Sequence, residues 1–306
     1  MPLKDRLIYG FVIIAVIVCI ILQFSYKGLF WNMFGRTVKL NGVIAENENN
    51  FYVHFIDVGQ AECILLKSGE DTVLIDSGEY DDYYTIEGYL DSLGINQIDY
   101  FILSHAHNDH MGSMASLLEN YRIDNVIMAK IDRELIPTSA IYSGVLKALS
   151  EYDGKIIEAV AGDEYAMDSF SFKILGPLRE YEKLNDCSVV VMAYYGENRF
   201  LFTGDIEGAA ETDLSAVYGD GLSADVLKVA HHGSASSTMT AFLKCVQPKV
   251  AVILCSKDNP YEHPNDVTLS KLDDFGVEYY TTSMFGTVII ESDGSRYRVF
   301  TEKKYG

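Results

Sequence analysis

The distribution of histidine constrains the fold more than any other feature of the sequence. The chain of 306 residues has seven histidines, and five of them fall in two short groups. The first group is His105, His107 and His110, and the second is His231 and His232. Each group follows an apolar run with the length and composition of a buried strand. This pattern predicts a fold that brings two distant parts of the chain together at one polar site.

The segments around both groups alternate between strand-like and helix-like patterns. The run IDYFIL at 98–103 precedes the first group, and RFLF and DVLKVA precede the polar turns of the second half. Apolar residues at helical spacing predict helices near residues 85–93, 111–121, 209–217 and 267–275. Two similar halves of this kind predict the α/β (α+β) class: two sheets packed face to face under outer helices, a four-layer αββα sandwich.

The first histidine group also has the spacing of metal ligands. His105 and His107 alternate on an extended segment and can present imidazoles to one ion, while Asp109 and His110 turn toward a second. Asp205, after a strand of the second half, can bridge both ions, and one histidine of the second group can complete the second site. Such a pair of ions can generate hydroxide near neutral pH. The alternative is a solvated turn in which Asp109 caps a helix.

Seven ordered motifs give the sequence a family resemblance. They are FIDVGQ at 55–60, LIDSG at 74–78, SHAHNDHMGS at 104–113, SVVV at 188–191, FLFTGDIEGAAE at 200–211, ADVLKVAHHGS at 224–234 and NPYEHP at 259–264. In these motifs the sequence resembles the metallo-β-lactamase superfamily, and within it the branch of ComEC-type competence proteins and surface phosphorylcholine esterases. The resemblance covers the whole predicted domain and implies a metal-dependent hydrolase.

The resemblance implies a site for two divalent ions, Zn²⁺ or Mn²⁺. It assigns His105 and His107 to the first ion, Asp109 and His110 with one of the paired histidines to the second, and Asp205 to a position between them. Which histidine of the pair binds stays open. The preferred assignment makes His232 the ligand and places His231 near the substrate.

One ligand of the family pattern is missing from this sequence. Many relatives supply a third histidine to the first ion, but this chain has no histidine between His110 and His231. Asn185, Asp186 or water are the candidates for that place. The first site is therefore expected to bind more weakly, to favour manganese over zinc, or to stand partly empty.

Three residues are predicted to act on the substrate. His263, in the NPYEHP loop, is similar to a family position that faces the active site, and we expect it to orient the scissile phosphate or to protonate the leaving group. A surface loop histidine is the alternative. Asp109 or Asp205 is expected to orient the nucleophile, with His231 beside the substrate. Asp76, in the LIDSG motif, is predicted to support the site without binding metal.

The predicted reaction is hydrolysis of a phosphoester or phosphodiester by a metal-held hydroxide. The chain has 24 Lys and Arg against 44 Asp and Glu, a net charge of −20. This charge disfavours a nucleic acid substrate and favours a small phosphoester or cell-envelope substrate. Two alternatives stay open: a single-strand nuclease of the competence type, and a non-catalytic binding or sensing module on the same fold.

The N-terminal sequence predicts a membrane anchor. Residues 7–24 are apolar except for Gln23, and Lys4 and Arg6 precede them. A cleaved signal peptide is the alternative. The predicted organisation is a cytoplasmic tip at 1–6, a transmembrane anchor at 7–25, a juxtamembrane tether at 26–50 and a hydrolase domain at 51–306. It implies a single-pass membrane protein that contacts the lipid bilayer, with an extracytoplasmic catalytic domain.

Overall fold

The computed structural model describes residues 46–303, which are built around two β-sheets. The strands, in chain order, are β1 Phe51–Phe55, β2 Ile64–Ser68, β3 Asp71–Ile75, β4 Gln97–Leu103, β5 Arg122–Met128, β6 Lys155–Glu158, β7 Glu164–Ala166, β8 Ser171–Gly176, β9 Val190–Tyr195, β10 Asn198–Phe202, β11 Val226–Lys228, β12 Val250–Ile253, β13 Glu278–Thr281, β14 Val288–Ser292 and β15 Tyr297–Thr301. One sheet has the order β15-β14-β1-β2-β3-β4-β5-β6, and the other has the order β13-β12-β11-β10-β9-β8-β7. The predicted pair of sheets is confirmed.

The described helices connect the strands and cover the sheets. They are α1 Tyr83–Ser92, α2 Asn108–Met111, α3 Met114–Asn120, α4 Ala140–Glu151, α5 Gly208–Tyr218, α6 Thr240–Val246, α7 Asp266–Asp274 and α8 Thr282–Phe285. The helices predicted near 85–93, 209–217 and 267–275 agree with α1, α5 and α7 to within two residues at each end.

The helix predicted over 111–121 is interrupted. The chain instead forms α2 and α3, with a break at Gly112 and Ser113. The backbone N–H groups of these two residues donate to the carbonyl groups of Gly78 and Ser77, at 2.8 and 3.3 Å. A Cβ atom at Gly112 would lie 2.3 Å from the backbone of Glu79. Close packing of the chain after β3 therefore breaks a helical pattern that is continuous in the sequence.

The main core lies between the two sheets and follows from the alternation of side chains along each strand. In β1, Phe51 and Phe55 point toward the other sheet and are fully buried. Their rings meet Phe200 and Phe202 of β10, with centroid separations of 5.1 Å for Phe51–Phe200 and 6.2 Å for Phe55–Phe202. Val53 shares this face, whereas Tyr52 and His54 point to the opposite face of the sheet, because side chains alternate along a strand.

The outer layers are formed by helices on the far faces of the sheets. His54 of β1 is buried, and its Nδ1 atom lies 2.8 Å from the hydroxyl of Tyr89 on α1. On the other sheet, Leu214 of α5 and Phe242 of α6 join an apolar cluster with strand residues such as Leu201. His54 is thus a structural histidine. The described cysteines are all free thiols.

The topology places both histidine groups at the same edge of the molecule. Strands β3 to β6 run parallel in one sheet, and β10 to β13 run parallel in the other. The carboxyl end of β4 leads into residues 104–110, that of β10 into 203–205, and that of β11 into 229–232. Loops at the carboxyl ends of parallel strands are a common position for binding sites in α/β folds.

The predicted membrane localisation is contradicted by the described structure. No helix within residues 46–303 is both long and apolar enough to cross a bilayer. The longest, α4, has 12 residues, and at 1.5 Å per residue it spans about 18 Å against a hydrocarbon core of about 30 Å. The predicted tip, anchor and most of the tether, residues 1–45, lie outside the described residues.

Candidate metal centre

Four side chains from three separate segments of the chain converge on one point. The ligand atoms of Asp109, His110, Asp205 and His232 all lie within 4.8 Å of one another. Asp205 Oδ2 is 3.3 Å from His110 Nε2 and 3.6 Å from His232 Nε2. Asp109 Oδ2 is 3.4 Å from His232 Nε2. The structure therefore brings together every residue predicted for the second ion, and it places His232 of the histidine pair in that group.

Hydrogen bonds behind the two imidazoles fix their orientation. His110 Nδ1 lies 2.6 Å from Asp76 Oδ2, and His232 Nδ1 lies 2.7 Å from the Leu254 carbonyl oxygen. A carbonyl or carboxylate oxygen can only accept a hydrogen bond, so each Nδ1 atom must carry a proton. When the ring is neutral, its lone pair is therefore on Nε2. Such support is typical of metal-binding histidines. Asp76 therefore has the supporting position that the sequence predicted.

The donor set fits a divalent cation. The Nε2 atoms of His110 and His232 are buried and form no hydrogen bond within the described part of the chain. Buried polar atoms normally have partners, so two orphaned nitrogens beside two carboxylates indicate a place for a cation. Two imidazole nitrogens and two carboxylate oxygens suit zinc, manganese or iron.

The charges of the site attract positive charge. Burial raises the pKa of Asp205, but His110, His232 and Lys228 outweigh it and hold that pKa well below its ordinary value. Burial lowers the pKa of His110, but Asp205 and other carboxylates raise it well above the ordinary value. Without a cation, a proton on His110 therefore balances the carboxylates; a bound cation would take over that role.

A buried lysine lies directly behind Asp205. The Lys228 side chain is fully buried and forms an ion pair with the equally buried Glu62. Its Nζ atom also lies 3.5 Å from Asp205 Oδ1 and donates to the Gly204 carbonyl oxygen at 2.7 Å. Lys228 thus contacts one oxygen of Asp205 while the other oxygen faces the histidines. Neither Lys228 nor Glu62 was singled out by sequence reasoning, although a lysine within the apolar strand DVLKVA was an available signal.

The residues predicted for the first ion are only partly assembled. His105 Nε2 lies 2.8 Å from His107 Nδ1. His105 is buried and His107 is exposed at the cleft. Within residues 46–303, no third His, Cys, Asp or Glu has a ligand atom within 4.8 Å of both. Burial lowers the pKa of both imidazoles, which keeps them neutral and able to bind metal at neutral pH.

The other two predicted histidines line the approach to the centre. His231 Nε2 is 3.9 Å from Asp205 Oδ2, and the His231 ring packs edge-on against His263 at a centroid distance of 5.5 Å. His231 and His232 both have left-handed backbone conformations, with φ of 50° and 52°. Residues other than glycine rarely adopt this conformation, which carries strain of about 1–3 kcal/mol each and is concentrated at functional sites.

These groups form the floor and walls of an open cleft of about 850 Å³. Asp109, Asp205 and His232 lie at its floor, with His107, His231 and His263 along its walls. The remaining described lining residues are Gln60, Glu79, Ala106, Asn108, Pro137, Thr138, Ser139, Pro260 and Tyr261. Its volume suits a small molecule or a short polymer segment.

Comparisons with known proteins agree with this architecture. The family model described as metallo-beta-lactamase superfamily matches residues 56–257. The chain is 29% identical over 255 residues to ComE operon protein 3 of Bacillus subtilis (strain 168), covering 77% of this chain and 32% of that protein. It is 30% identical over 243 residues to Recombination protein 2 of Haemophilus influenzae, covering 77% and 28%. The predicted relation to ComEC-type competence proteins is confirmed, and the chain spans about a third of the length of these relatives.

A solved structure shows the same fold. Igni18, a metallo hydrolase from the archaeon Ignicoccus hospitalis KIN4/I, superposes with a TM-score of 0.54 at 15% identity, covering 78% of this chain and 98% of that one. This likeness concerns the fold alone. The family match and the ligand group at the joined strand ends together show that the chain belongs to the metallo-beta-lactamase superfamily.

Proposed function

We propose that this chain is a metal-dependent hydrolase of small phosphoesters or phosphodiesters. The observation that carries the proposal is the group of Asp109, His110, Asp205 and His232, of which Asp109, Asp205 and His232 line an open cleft. Divalent ions, zinc or manganese, bound in such a centre lower the pKa of water and stabilise negative charge on phosphoryl oxygens. Asp109 is the more exposed of the two carboxylates, 28% against 3%, so we expect it to orient the attacking water.

The cleft walls support a positioning role for His263. The pKa of His263 is lowered to about 4, first by burial and then by His231 and His232. A residue with this pKa is neutral at pH 7 and is a poor proton donor to a leaving group. Its Nδ1 atom is buried without a hydrogen-bond partner in the described chain. Of the two roles predicted for His263, the geometry therefore favours orienting a phosphoryl oxygen over protonating the leaving group.

The charge of the cleft supports a small substrate. Of the described residues that line it, none is Lys or Arg, and the acidic ones include Glu79. A long polyanion would approach a chain of net charge −20 without a basic groove to bind its backbone. Small zwitterionic phosphodiesters, such as those of cell-envelope head groups, meet less repulsion.

A second candidate function is hydrolysis of single-stranded nucleic acid. Two observations favour it: the competence and recombination proteins among the relatives, and Tyr261 on the cleft wall. Tyr261 is 66% exposed and stacks on His263 at a centroid distance of 5.7 Å. Exposed aromatic rings of this kind can stack on unpaired bases.

The test is a set of hydrolysis assays on the purified full chain, after removal of metal and addition of Zn²⁺ or Mn²⁺. The substrates are bis-p-nitrophenyl phosphate, p-nitrophenylphosphorylcholine and a fluorescent single-stranded oligonucleotide. We expect metal-dependent turnover of a small diester that Asp109→Ala abolishes, and Val217→Ala, at an exposed site on α5, serves as the matched control.

The pattern of results separates the candidates. Preference for the oligonucleotide by kcat/KM would favour the nuclease. Bound metal without turnover of any of the three substrates, or no bound metal, would refute the hydrolase and leave a binding or sensing module on the same fold.

A further inference from the structure

We propose that the side-chain oxygen of Asn185 is the third protein ligand of the first metal ion, in the place where many relatives have a histidine. The proposal rests on the proposed metal-dependent function and concerns the half of the centre that His105 and His107 leave incomplete. It names one residue among the three candidates that the sequence left open, Asn185, Asp186 and water.

The orientation of the Asn185 amide is fixed by a carboxylate. Asn185 Nδ2 donates to Glu207 Oε1 at 3.1 Å. A carboxylate only accepts, so the NH₂ group must face Glu207 and Oδ1 must point away from it. Glu207 is itself held by an ion pair with Lys183. The amide oxygen therefore has one defined direction.

That direction leads to the incomplete site. The turn that carries Asn185 lies against His105, because Ser188 Oγ donates to the Asn185 carbonyl oxygen and lies 3.4 Å from His105 Nδ1. Its Oδ1 atom is shielded from solvent and has no hydrogen-bond partner in the described chain. An amide oxygen that is buried and unpaired beside a candidate ligand indicates a place for a cation, as the orphaned nitrogens of His110 and His232 do.

Asp186 is occupied elsewhere. Its Oδ1 atom accepts hydrogen bonds from the backbone N–H groups of Glu207, at 2.8 Å, and Ala210, at 3.3 Å. These donors belong to the first turn of α5, where a carboxylate is favourable for the helix. Asp186 is 4% exposed and holds the start of this helix, so it is not free to turn toward the histidines.

The imidazoles on the other side present the matching atoms. His105 Nδ1 lies 3.1 Å from Ser104 Oγ, whose proton is donated to Asp76 Oδ2 at 2.6 Å. His105 Nδ1 must therefore carry its proton, which leaves the lone pair on Nε2, 2.8 Å from His107 Nδ1. His105 Nε2 is therefore available to bind a cation on the side where His107 Nδ1 lies.

The turn that carries Asn185 is tied to both halves of the centre. Ser188 Oγ donates to the Asn185 carbonyl oxygen at 2.6 Å, accepts the Asp205 N–H at 3.1 Å and lies 3.4 Å from His105 Nδ1. Amide oxygen is a harder ligand than imidazole and suits manganese better than it suits zinc. The first site is therefore expected to prefer Mn²⁺ more strongly than a three-histidine site would.

Metal binding by the full chain tests this assignment without reference to activity. Metal-free protein is titrated with Mn²⁺ and with Zn²⁺ by calorimetry, and the bound ions are counted by elemental analysis. The variants are Asn185→Ala, Asn185→His, and Asn96→Ala as a control at an exposed asparagine between α1 and β4.

We expect the wild-type chain to bind two Mn²⁺ ions. In Asn185→Ala the affinity for the second ion should fall by about tenfold or more, because removing even a residue that only supports a metal ligand typically lowers metal affinity by about 10–100-fold. Asn185→His should bind two ions and shift the second toward Zn²⁺. Unchanged affinities in Asn185→Ala, or one ion in the wild type at saturating Mn²⁺, would overturn the assignment. If Asn185→Ala does not fold, Asn185→His provides the test: the same preference for Mn²⁺ over Zn²⁺ as in the wild type would overturn the assignment. Two bound ions without turnover would refute the proposed function and leave the ligand assignment standing.

Discussion

Replacing Lys228 by methionine is the most direct test of how the centre is held together. Lys228 and Glu62 are both fully buried, and Lys228 is the nearest cation to the Glu62 carboxylate, from which His110 Nδ1 is 3.9 Å away. Removing one member of a buried ion pair typically lowers the free energy of unfolding by about 3–5 kcal/mol, because the remaining charge stays desolvated. Lys228 also donates to the Gly204 carbonyl oxygen. We therefore expect Lys228→Met to lower the free energy of unfolding of the metal-free protein by about 4 kcal/mol.

The double variant Glu62→Met, Lys228→Met provides the control. It replaces both charges by apolar groups of similar size, an exchange that is often close to neutral. Because Asp205 and Gly204 still lose their contacts with Lys228, we expect a loss of about 1–2 kcal/mol in the double variant, smaller than in the single variant.

The cost of Lys228→Met should also depend on pH. Burial raises the pKa of Glu62, and Lys228 opposes this rise. Without Lys228 the pKa of Glu62 in the folded state rises further above its value of 4.5 in the unfolded state. The variant therefore loses stability as the pH increases above 4.5. The loss relative to wild type should therefore be smaller at pH 5 than at pH 8.

Urea unfolding, monitored by circular dichroism, gives the free energy of unfolding of the wild type and both variants at pH 5 and pH 8. A loss below about 1 kcal/mol in Lys228→Met, which is the range of exposed pairs, would show that the ion pair does not stabilise the fold. A double variant that is less stable than Lys228→Met would refute the argument that the unpaired Glu62 charge causes the loss.

Three further predictions concern other parts of the molecule. Asp76→Asn removes the charged acceptor behind His110 and should weaken metal binding by about 10–100-fold in a calorimetric titration, with little change in the far-UV circular dichroism spectrum; unchanged affinity would show that Asp76 does not support this ligand. Phe200→Ala, at a fully buried position between the sheets, should lower the free energy of unfolding by about 3–5 kcal/mol in urea denaturation, whereas Val217→Ala, which is 61% exposed, should change it by about 0.5 kcal/mol or less. Glu211 accepts hydrogen bonds from two backbone N–H groups, yet burial raises its pKa from 4.5 to about 7. A raised folded-state pKa means that its contribution to stability falls as the pH increases through this interval, so Glu211→Gln should flatten the pH dependence of Tm between pH 5 and 7; an unchanged slope would contradict this.

The sequence by itself determined most of the elements and which polar residues lie at the strand ends that form the centre. Apolar runs predicted the strands β4, β10 and β11, and helical spacing predicted α1, α5 and α7, because these patterns depend on which side of an element is buried. Asp109, His110 and Asp205, with one of the paired histidines, were predicted for the second ion because each lies in a polar turn directly after an apolar run. The apolar run at 7–24 predicted a membrane span by the same kind of local pattern, and the described structure did not support the predicted localisation.

Only the tertiary structure decided which polar groups meet. Sequence spacing could not choose between His231 and His232, because the choice depends on a left-handed turn that directs His232 Nδ1 to the Leu254 carbonyl group of another strand. The pairing of Glu62 with Lys228 joins residues 166 positions apart in the chain. The break between α2 and α3 arises from contact with the chain after β3. Local patterns report the burial of each segment, whereas the distances between ligands depend on how the two sheets pack.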